Sequence, residues 1–434
     1  MRRTLTAVAA LFAAGSVQAA DLFSIYQEAL AKDARYQSAR AAYQAAQERL
    51  PQGRAGLLPQ ASFAASRSRN RTQAGNSAPQ SFNSDQIGFT ASQPLFRMQN
   101  FVAYEQAQIQ VEQAESQFGT ATQDLILRVS QAYFDILLAQ VNVELAAAQK
   151  KAFGEQLEQA KRNFEVGTAT IVDTYEAQAR FDLTNAQEIA AKNQLEITRR
   201  ALQQIIGRFP DQLQRGRSEK FELFQPDPPR MDDWIAIGIG NSLELQTQQA
   251  AYDLAAKEVE RARAGHYPTV DLVASYTDAG NIGASITGRG IDISSYEIGV
   301  QVNVPIFEGF ATQSRVREAL SNQDRALQDL DNVRRTITQR VQAAYLNVTN
   351  GIAQVKALEQ SLISSQSQLD STKLGQEVGV RTQVDVLNAT QQLTTARRDY
   401  FQAVYSYVIA YLQLQQAAGV LTEEDVVAIN KFLY

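Results

Sequence analysis

Alternation of apolar and polar residues is clearest late in the chain. There Tyr296, Ile298, Val300, Val302 and Val304 share one face against Glu297, Gly299, Gln301 and Asn303. A period of two sends successive side chains to opposite faces of a strand, so a strand is expected at about 296–304. Weaker alternations predict strands at about 60–67 (Ala61, Phe63, Ala65), 86–94 (Ile87, Phe89, Ala91) and 269–277 (Val270, Leu272, Ala274, Tyr276). The polar run Arg67 to Asp85 and the stretch Asp278 to Ser295 read as loops joining each pair. Pro59, Pro94, Pro268 and Pro305 bound the strands, as residues unable to donate to a ladder interior should.

Helical periodicity fills most of the rest. Residues 22 to 54 and 242 to 265 read as single helices. Asn100 to about Arg162 and Thr312 to about Gly375 run for more than 60 residues without proline. At 1.5 Å per residue each spans roughly 90 to 100 Å. Val341, Tyr345, Val348, Ile352 and Val355 step by fours and threes, a coiled-coil seam. Shorter return helices are expected at about 171–207 and 383–418. Ala, Gln, Asn and Thr fill many remaining positions, which suits helices lying side by side with one face wet.

The chain writes its turn twice. Phe164-Glu165-Val166-Gly167-Thr168-Ala169-Thr170-Ile171-Val172-Asp173 returns as Gln376-Glu377-Val378-Gly379-Val380-Arg381-Thr382-Gln383-Val384-Asp385, an offset of 212 residues. Val129, Ala132, Tyr133 and Ala177 return at the same offset as Val341, Ala344, Tyr345 and Ala389. Glycine frees the backbone to reverse a helix, and the Thr and Asp after it suit a new helix start. Each motif is therefore expected at the tip of a helical hairpin, one per half. The organisation that follows is 1–20 leader, 21–207 first repeat, 208–235 inter-repeat piece, 236–418 second repeat and 419–434 C-terminal piece. Trp234 is expected to pack the inter-repeat piece onto the helices, and Thr422 with Asp425 resembles a capping box for a last short helix.

Composition narrows the function. Arg2 and Arg3, an apolar run from Leu5 to Ala14 and small residues ending Val17-Gln18-Ala19 form a secretory signal. Its removal takes Arg2 and Arg3 away and shifts the net charge from −5 to −7. A mildly acidic chain gives no support to nucleic-acid binding. With no cysteine, disulfides, thiolate catalysis, thiolate metal sites and an acylated N-terminal cysteine are all excluded. His266 has no histidine partner for a metal, Gly238-Ile239-Gly240 lacks the rest of a dinucleotide loop, and no cofactor is implied. No later segment has the apolar length of a membrane helix, so an exported chain of this kind enters a bilayer only as strands. Four strands cannot close a barrel; about eight is the smallest known. Copies must share a wall, two giving eight strands and three giving twelve.

The paired Val-Gly-x-x-Thr-x-Val-Asp turns carry a resemblance. So do Leu58-Pro59 and Tyr267-Pro268 before strands, and Gln93-Pro94-Leu95-Phe96 and Val304-Pro305-Ile306-Phe307 after them. Together they resemble the TolC family of outer-membrane channel proteins over nearly all of the mature chain. The resemblance implies a mainly α fold with a small β part. Its two pseudo-repeats of long helical hairpins, each with two strands, would assemble as a trimeric 12-strand β-barrel on a 12-helix α-barrel. It implies an outer-membrane duct extending into the periplasm, a periplasmic adaptor, an inner-membrane transporter of the ABC or RND type, and lipid around the barrel. It places Asp385 at a constricting ring, where the second acid of the family pattern is Asn388 here. Arg381 and Asp173 match a latch between hairpins, with Gln376 standing where the family has tyrosine and Glu176 positioned to compensate. Val166, Gly167, Val378 and Gly379 match tips that meet the adaptor. The rival reading is a periplasmic coiled-coil scaffold that encloses no pore. Acid–base catalysis by Asp173 and Glu176 has no supporting constellation, and no enzyme is expected.

Overall fold

The computed structural model describes residues 21–73, 75, 78–210, 213, 223–282 and 291–432. The expected leader, much of the 208–235 piece and part of the loop after 282 lie outside them. Contacts divide the chain into two compact units. The first holds the described residues up to Gln37 with Thr122–Ile235 and Val341 onward; the second holds Ser38–Ala121 and Ala236–Arg340.

The second unit carries one antiparallel sheet. Its strands are β1 (Gln60–Thr72), β2 (Gln80–Phe96), β3 (Thr269–Ile282) and β4 (Ile291–Asn303), in the spatial order β1-β2-β3-β4. Two expectations are corrected here. The run from Arg67 onward is strand, not loop: β1 continues to Thr72 and β2 begins at Gln80, with Arg67 facing Asp85 and Thr72 facing Gln80. Hydrogen bonds replace apolar contacts in this extension, where Ser68 Oγ meets Ser84 Oγ at 2.9 Å and Asn70 donates to Ser84 Oγ at 2.8 Å. Likewise β3 runs past Asp278 to Ile282, and β4 begins at Ile291. Pro94 does not end β2; the register shifts between Pro94 and Phe96, a bulge that accommodates the missing amide proton.

The first expected helix is also more broken than expected. The segment 22–54 folds as α1 (Leu22–Lys32), α2 (Ala34–Gln47) and α3 (Arg49–Ala55). Asp33 causes the first break, since its extended backbone ends α1 while its carboxylate accepts the Tyr36 amide at 2.7 Å to start α2. The helix expected at 242–265 forms unbroken as α7 (Leu243–Arg263), started by Ser242, which caps the Leu245 amide, and α6 (Met231–Asn241) precedes it. Trp234 therefore lies on a helix, buried, donating from Nε1 to Pro228 O at 2.8 Å. Within the second unit α7 is tied to α4 (Met98–Glu165) by Lys257–Glu105 at 2.8 Å and by Gln106 donating to Glu258 at 3.0 Å.

The first unit contains the thicker core. Helix α4 buries Leu125, Ile126, Val129, Tyr133, Phe134, Ile136 and Leu137, and α5 (Ile171–Ile206) adds Leu202 and Ile206. From the second half come Val341, Val348 and Val355 on α8 (Ala311–Glu377), with Val404, Tyr407 and Leu412 on α9 (Gln383–Ala417). Both hairpins close on equivalent seams: Leu157, Ala177 and Phe181 in one, Leu369, Ala389 and Leu393 in the other. The last helix, α10 (Glu423–Phe432), receives half of the expected box, Asp425 accepting the Thr422 amide at 2.8 Å. Its Asn430 donates to Asp21 and accepts from the Leu22 amide, fastening both ends of the described chain.

Arg128 is the polar anchor of this unit, grasping Asp33 with two hydrogen bonds of 3.0 Å and Asp124 with a third of 2.7 Å. Burial pushes the Asp33 carboxyl up, but the Arg128 guanidinium and the Tyr36 amide outweigh it and hold it below the ordinary carboxylate range. Asp33→Ala removes a helix cap and leaves Arg128 without its buried partner, so a loss of about 3 kcal/mol is expected. Thermal unfolding followed by circular dichroism reads it. Because the folded pKa is depressed, the contribution is present above pH 3.8 and is lost as pH falls through the folded value.

Candidate functional site

The two repeated turns fold alike. At the first, Asn163 O accepts the amides of Thr168 at 2.8 Å and Ala169 at 3.2 Å; at the second, Gly375 O accepts those of Val380 at 2.9 Å and Arg381 at 3.1 Å. Gly167 and Gly379 sit at φ 74° and 80°, the left-handed region that costs a side-chain-bearing residue about 1 to 2 kcal/mol. Each following helix starts with a reciprocal capping box: Thr170 with Asp173, and Thr382 with Asp385. The Asp173 carboxyl lies below the usual carboxylate range because Thr170 donates from both hydroxyl and amide. Asp385 is lowered by the Thr382 amide first, then its hydroxyl, with nearby Arg381 adding to the effect.

Around these caps the tips are apolar and exposed. Val166, Val172, Tyr175, Val378 and Val380 are each about two-thirds exposed or more. Such a patch on an otherwise polar helical end suits a protein partner. Arg381 lays its stem over Gly375, whose missing Cβ would stand 2.7 Å from the arginine Cγ. Gln376 donates across the turn to Gln383. Within one chain the Asp173 carboxylate accepts from the Thr170 amide at 2.8 Å and its hydroxyl at 2.7 Å.

One residue of this site escaped the sequence reading. Arg180 donates from Nη2 to Asn388 Oδ1 at 3.1 Å and stands 3.9 Å from Glu176. It joins the N-terminal parts of α5 and α9 and sets a fixed positive charge beside Asn388. Glu176 four residues before Arg180 was the available signal; the partner on the other helix had none. Glu176 and Asn388 are themselves equivalent in the repeat, 212 residues apart.

The sheet offers the second candidate surface. Pairing puts Phe63, Phe89, Tyr276 and Tyr296 side by side in one row on one face. The Tyr276 and Tyr296 rings lie 4.9 Å apart. Below this row the same face carries Ala91, Leu272, Ile298, Val300 and Val302, with Ile298 79% exposed and Val300 60%. Beyond β4, Ile306, Phe307 and Phe310 are exposed as well. The other face is polar: Ser62, Ser66, Gln86, Thr90, Ser275, Thr277, Glu297 and Gln301. Asp271, buried on that polar side, takes two hydrogen bonds of 2.8 and 2.7 Å from Arg97 at the β2–α4 junction. Among the described residues no helix is long and apolar enough to cross a membrane, and no acidic or histidine cluster could hold a metal.

Comparison with known proteins gives a concordant picture. The description of the outer membrane efflux protein family matches residues 25–208 and 234–420. The outer membrane protein TolC of Vibrio cholerae is 34% identical over 416 residues, covering 96% of this chain and 94% of its own. The alkaline protease secretion protein AprF of Pseudomonas aeruginosa is 31% identical over 410 residues, covering 92% and 84%. Crystallographic CusC has a TM-score of 0.80 at 18% identity, over 92% of each chain, a likeness of fold alone.

Thr170→Ala removes one hairpin cap and is expected to weaken that turn by about 1 kcal/mol, roughly a fivefold loss of protection. Hydrogen exchange at the Val172 to Thr174 amides reads it directly. Both caps follow the same pH rule: the depressed carboxyls stabilise the turns above pH 3.8 and release them as pH falls through the folded values. Exchange corrected for its intrinsic pH dependence should report both tips loosening together.

Proposed function

The chain belongs to the outer membrane efflux protein family, and from that footing we propose that it is the exit duct of a tripartite export system. It passes substrates through the outer membrane of a Gram-negative cell, energised by an inner-membrane transporter and reached through a periplasmic adaptor. The family is one of channels rather than enzymes. The observation that carries the reading is the sheet. Its outward face is apolar and exposed beneath an aromatic row, its other face is polar, and among the described residues its edge strands β1 and β4 have no further strand beside them. In lipid every backbone group must be paired, so such a sheet spans only as part of a closed wall. Three copies give twelve strands with an open lumen, the arrangement we favour over the tight eight of a dimer.

At the hairpin tips we assign the gate. Asp385, repeated around an axis, forms a ring that attracts and slows multivalent cations. Asn388 and the adjacent Arg180 make it a single ring of modest strength. Arg381 reaches an acid of a neighbouring hairpin, with Asp173 and Glu176 as partners, and holds the resting state narrow. Val166, Gly167, Val378 and Gly379 present the apolar tips to the adaptor. A pore-less periplasmic scaffold would explain the helices but leaves an exposed apolar sheet face with no purpose.

Two recordings in planar bilayers test the gate. Asp385→Ala is expected to weaken block by trivalent cations on the tip side by about tenfold or more, and unchanged block removes Asp385 from the pore. Arg381→Ser is expected to raise resting conductance; no rise withdraws the latch.

A further inference from the structure

Past the aromatic row β1 runs on from Phe63 to Thr72 and β2 reaches back from Phe89 to Gln80, so this hairpin overshoots the row. The overshoot of β1 is chemically distinct. Phe63 stands in the aromatic row, and Arg67, Arg69 and Arg71 follow on the same face at alternate positions. All three are exposed, and none makes an ion pair among the described residues. Asp85 is directly opposite Arg67, yet its carboxylate leans to β3, with Oδ2 3.0 Å from where a Gly280 Cβ would be. Arg69 and Arg71 face the neutral Asn83 and Ser81.

Height selects the partner. At about 3.3 Å per residue and a tilt near 40°, Arg67 stands roughly 10 Å above the aromatic row and Arg71 roughly 20 Å. Aromatic rows mark the edge of the hydrocarbon. Phospholipid headgroups extend only about 5 to 8 Å beyond it, so they engage Arg67 at most. A ladder of three guanidiniums fits an anionic lipid whose phosphates are stacked at increasing height, because guanidinium binds phosphate through paired hydrogen bonds.

We propose that Arg67, Arg69 and Arg71 form an outward-facing docking strip for the phosphorylated sugar headgroup of outer-leaflet glycolipid. The inference rests on the apolar sheet face being the lipid-facing one. A neighbouring copy is the competing occupant, since β4 of a second chain beside β1 brings Asp292 to the same face. With Asp85 opposite Arg67, two acids then share the face with three arginines, which still leaves the strip basic.

The full chain in detergent, titrated with rough lipopolysaccharide that retains its inner-core phosphates and observed by native mass spectrometry, decides the matter. Wild type should bind it more tightly than it binds phosphatidylglycerol. Replacing all three arginines by Gln should weaken lipopolysaccharide binding by about fivefold per arginine, on the order of a hundredfold in total. Phosphatidylglycerol binding should change by about fivefold at most, and Arg→Lys at the three positions, which keeps the charge but loses the paired hydrogen bonds, should fall between wild type and the Gln variant. Unchanged lipopolysaccharide binding in the Gln variant overturns the proposal, as does equal preference for the two lipids in wild type. So does loss of the oligomer in both the Gln variant and Asp292→Asn, which would assign the arginines to subunit pairing. Conductance of the same preparations in phosphatidylcholine bilayers is a separate readout. A conducting protein indifferent to lipopolysaccharide loses only the strip; one that binds it through the arginines but never conducts loses the duct.

Discussion

The constraint on which the rest depends is an unfinished sheet. Four strands pair in the order β1-β2-β3-β4, and among the described residues no further strand pairs the outer edges of β1 and β4. Proteins in water protect such edges with charge, proline or a covering segment. Here the face between the edges is instead apolar, with Ile298 and Val300 more than half exposed. Lipid resolves the apolar face, and only closure with further strands resolves the edges. That is the ground on which we propose an assembly within a membrane.

The hairpins follow a different economy. Two turns with matching backbones are built from the same three devices: a left-handed glycine, a carbonyl that accepts two amides, and a Thr–Asp box. On that shared frame the side chains have diverged. Ala169 in one copy is Arg381 in the other, Phe164 is Gln376, and Glu176 is Asn388. The repeat holds the geometry constant while each tip acquires its own charge. Arg180, with no arginine at the equivalent Gln392, then links the two helices that follow the turns.

Much of this was legible in advance because it depends on local rules. A period of two, prolines beside the strands and a Val-Gly turn repeated at a fixed offset are statements about neighbouring residues, and each found its place in the fold except Pro94, which lies within β2 rather than at its end. The extent of the strands was not, because Ser68, Asn70 and Ser84 carry no apolar signal and are held by bonds to one another across the hairpin. Nor was the break at Asp33 visible, since an acid within a helical pattern reads as a surface residue until Arg128 is found grasping it from a distant helix.

What the sequence by itself determined is the class of solution: two copies of a helical hairpin, four amphipathic strands and export. Tertiary structure alone decided which residues share a row. Alignment of Phe63, Phe89, Tyr276 and Tyr296, the lean of Asp85 away from Arg67, and the reach of Arg180 to Asn388 all depend on register between segments far apart in the chain. Register is a collective outcome of pairing, and a slip of one residue would turn every side chain of a strand to the opposite face.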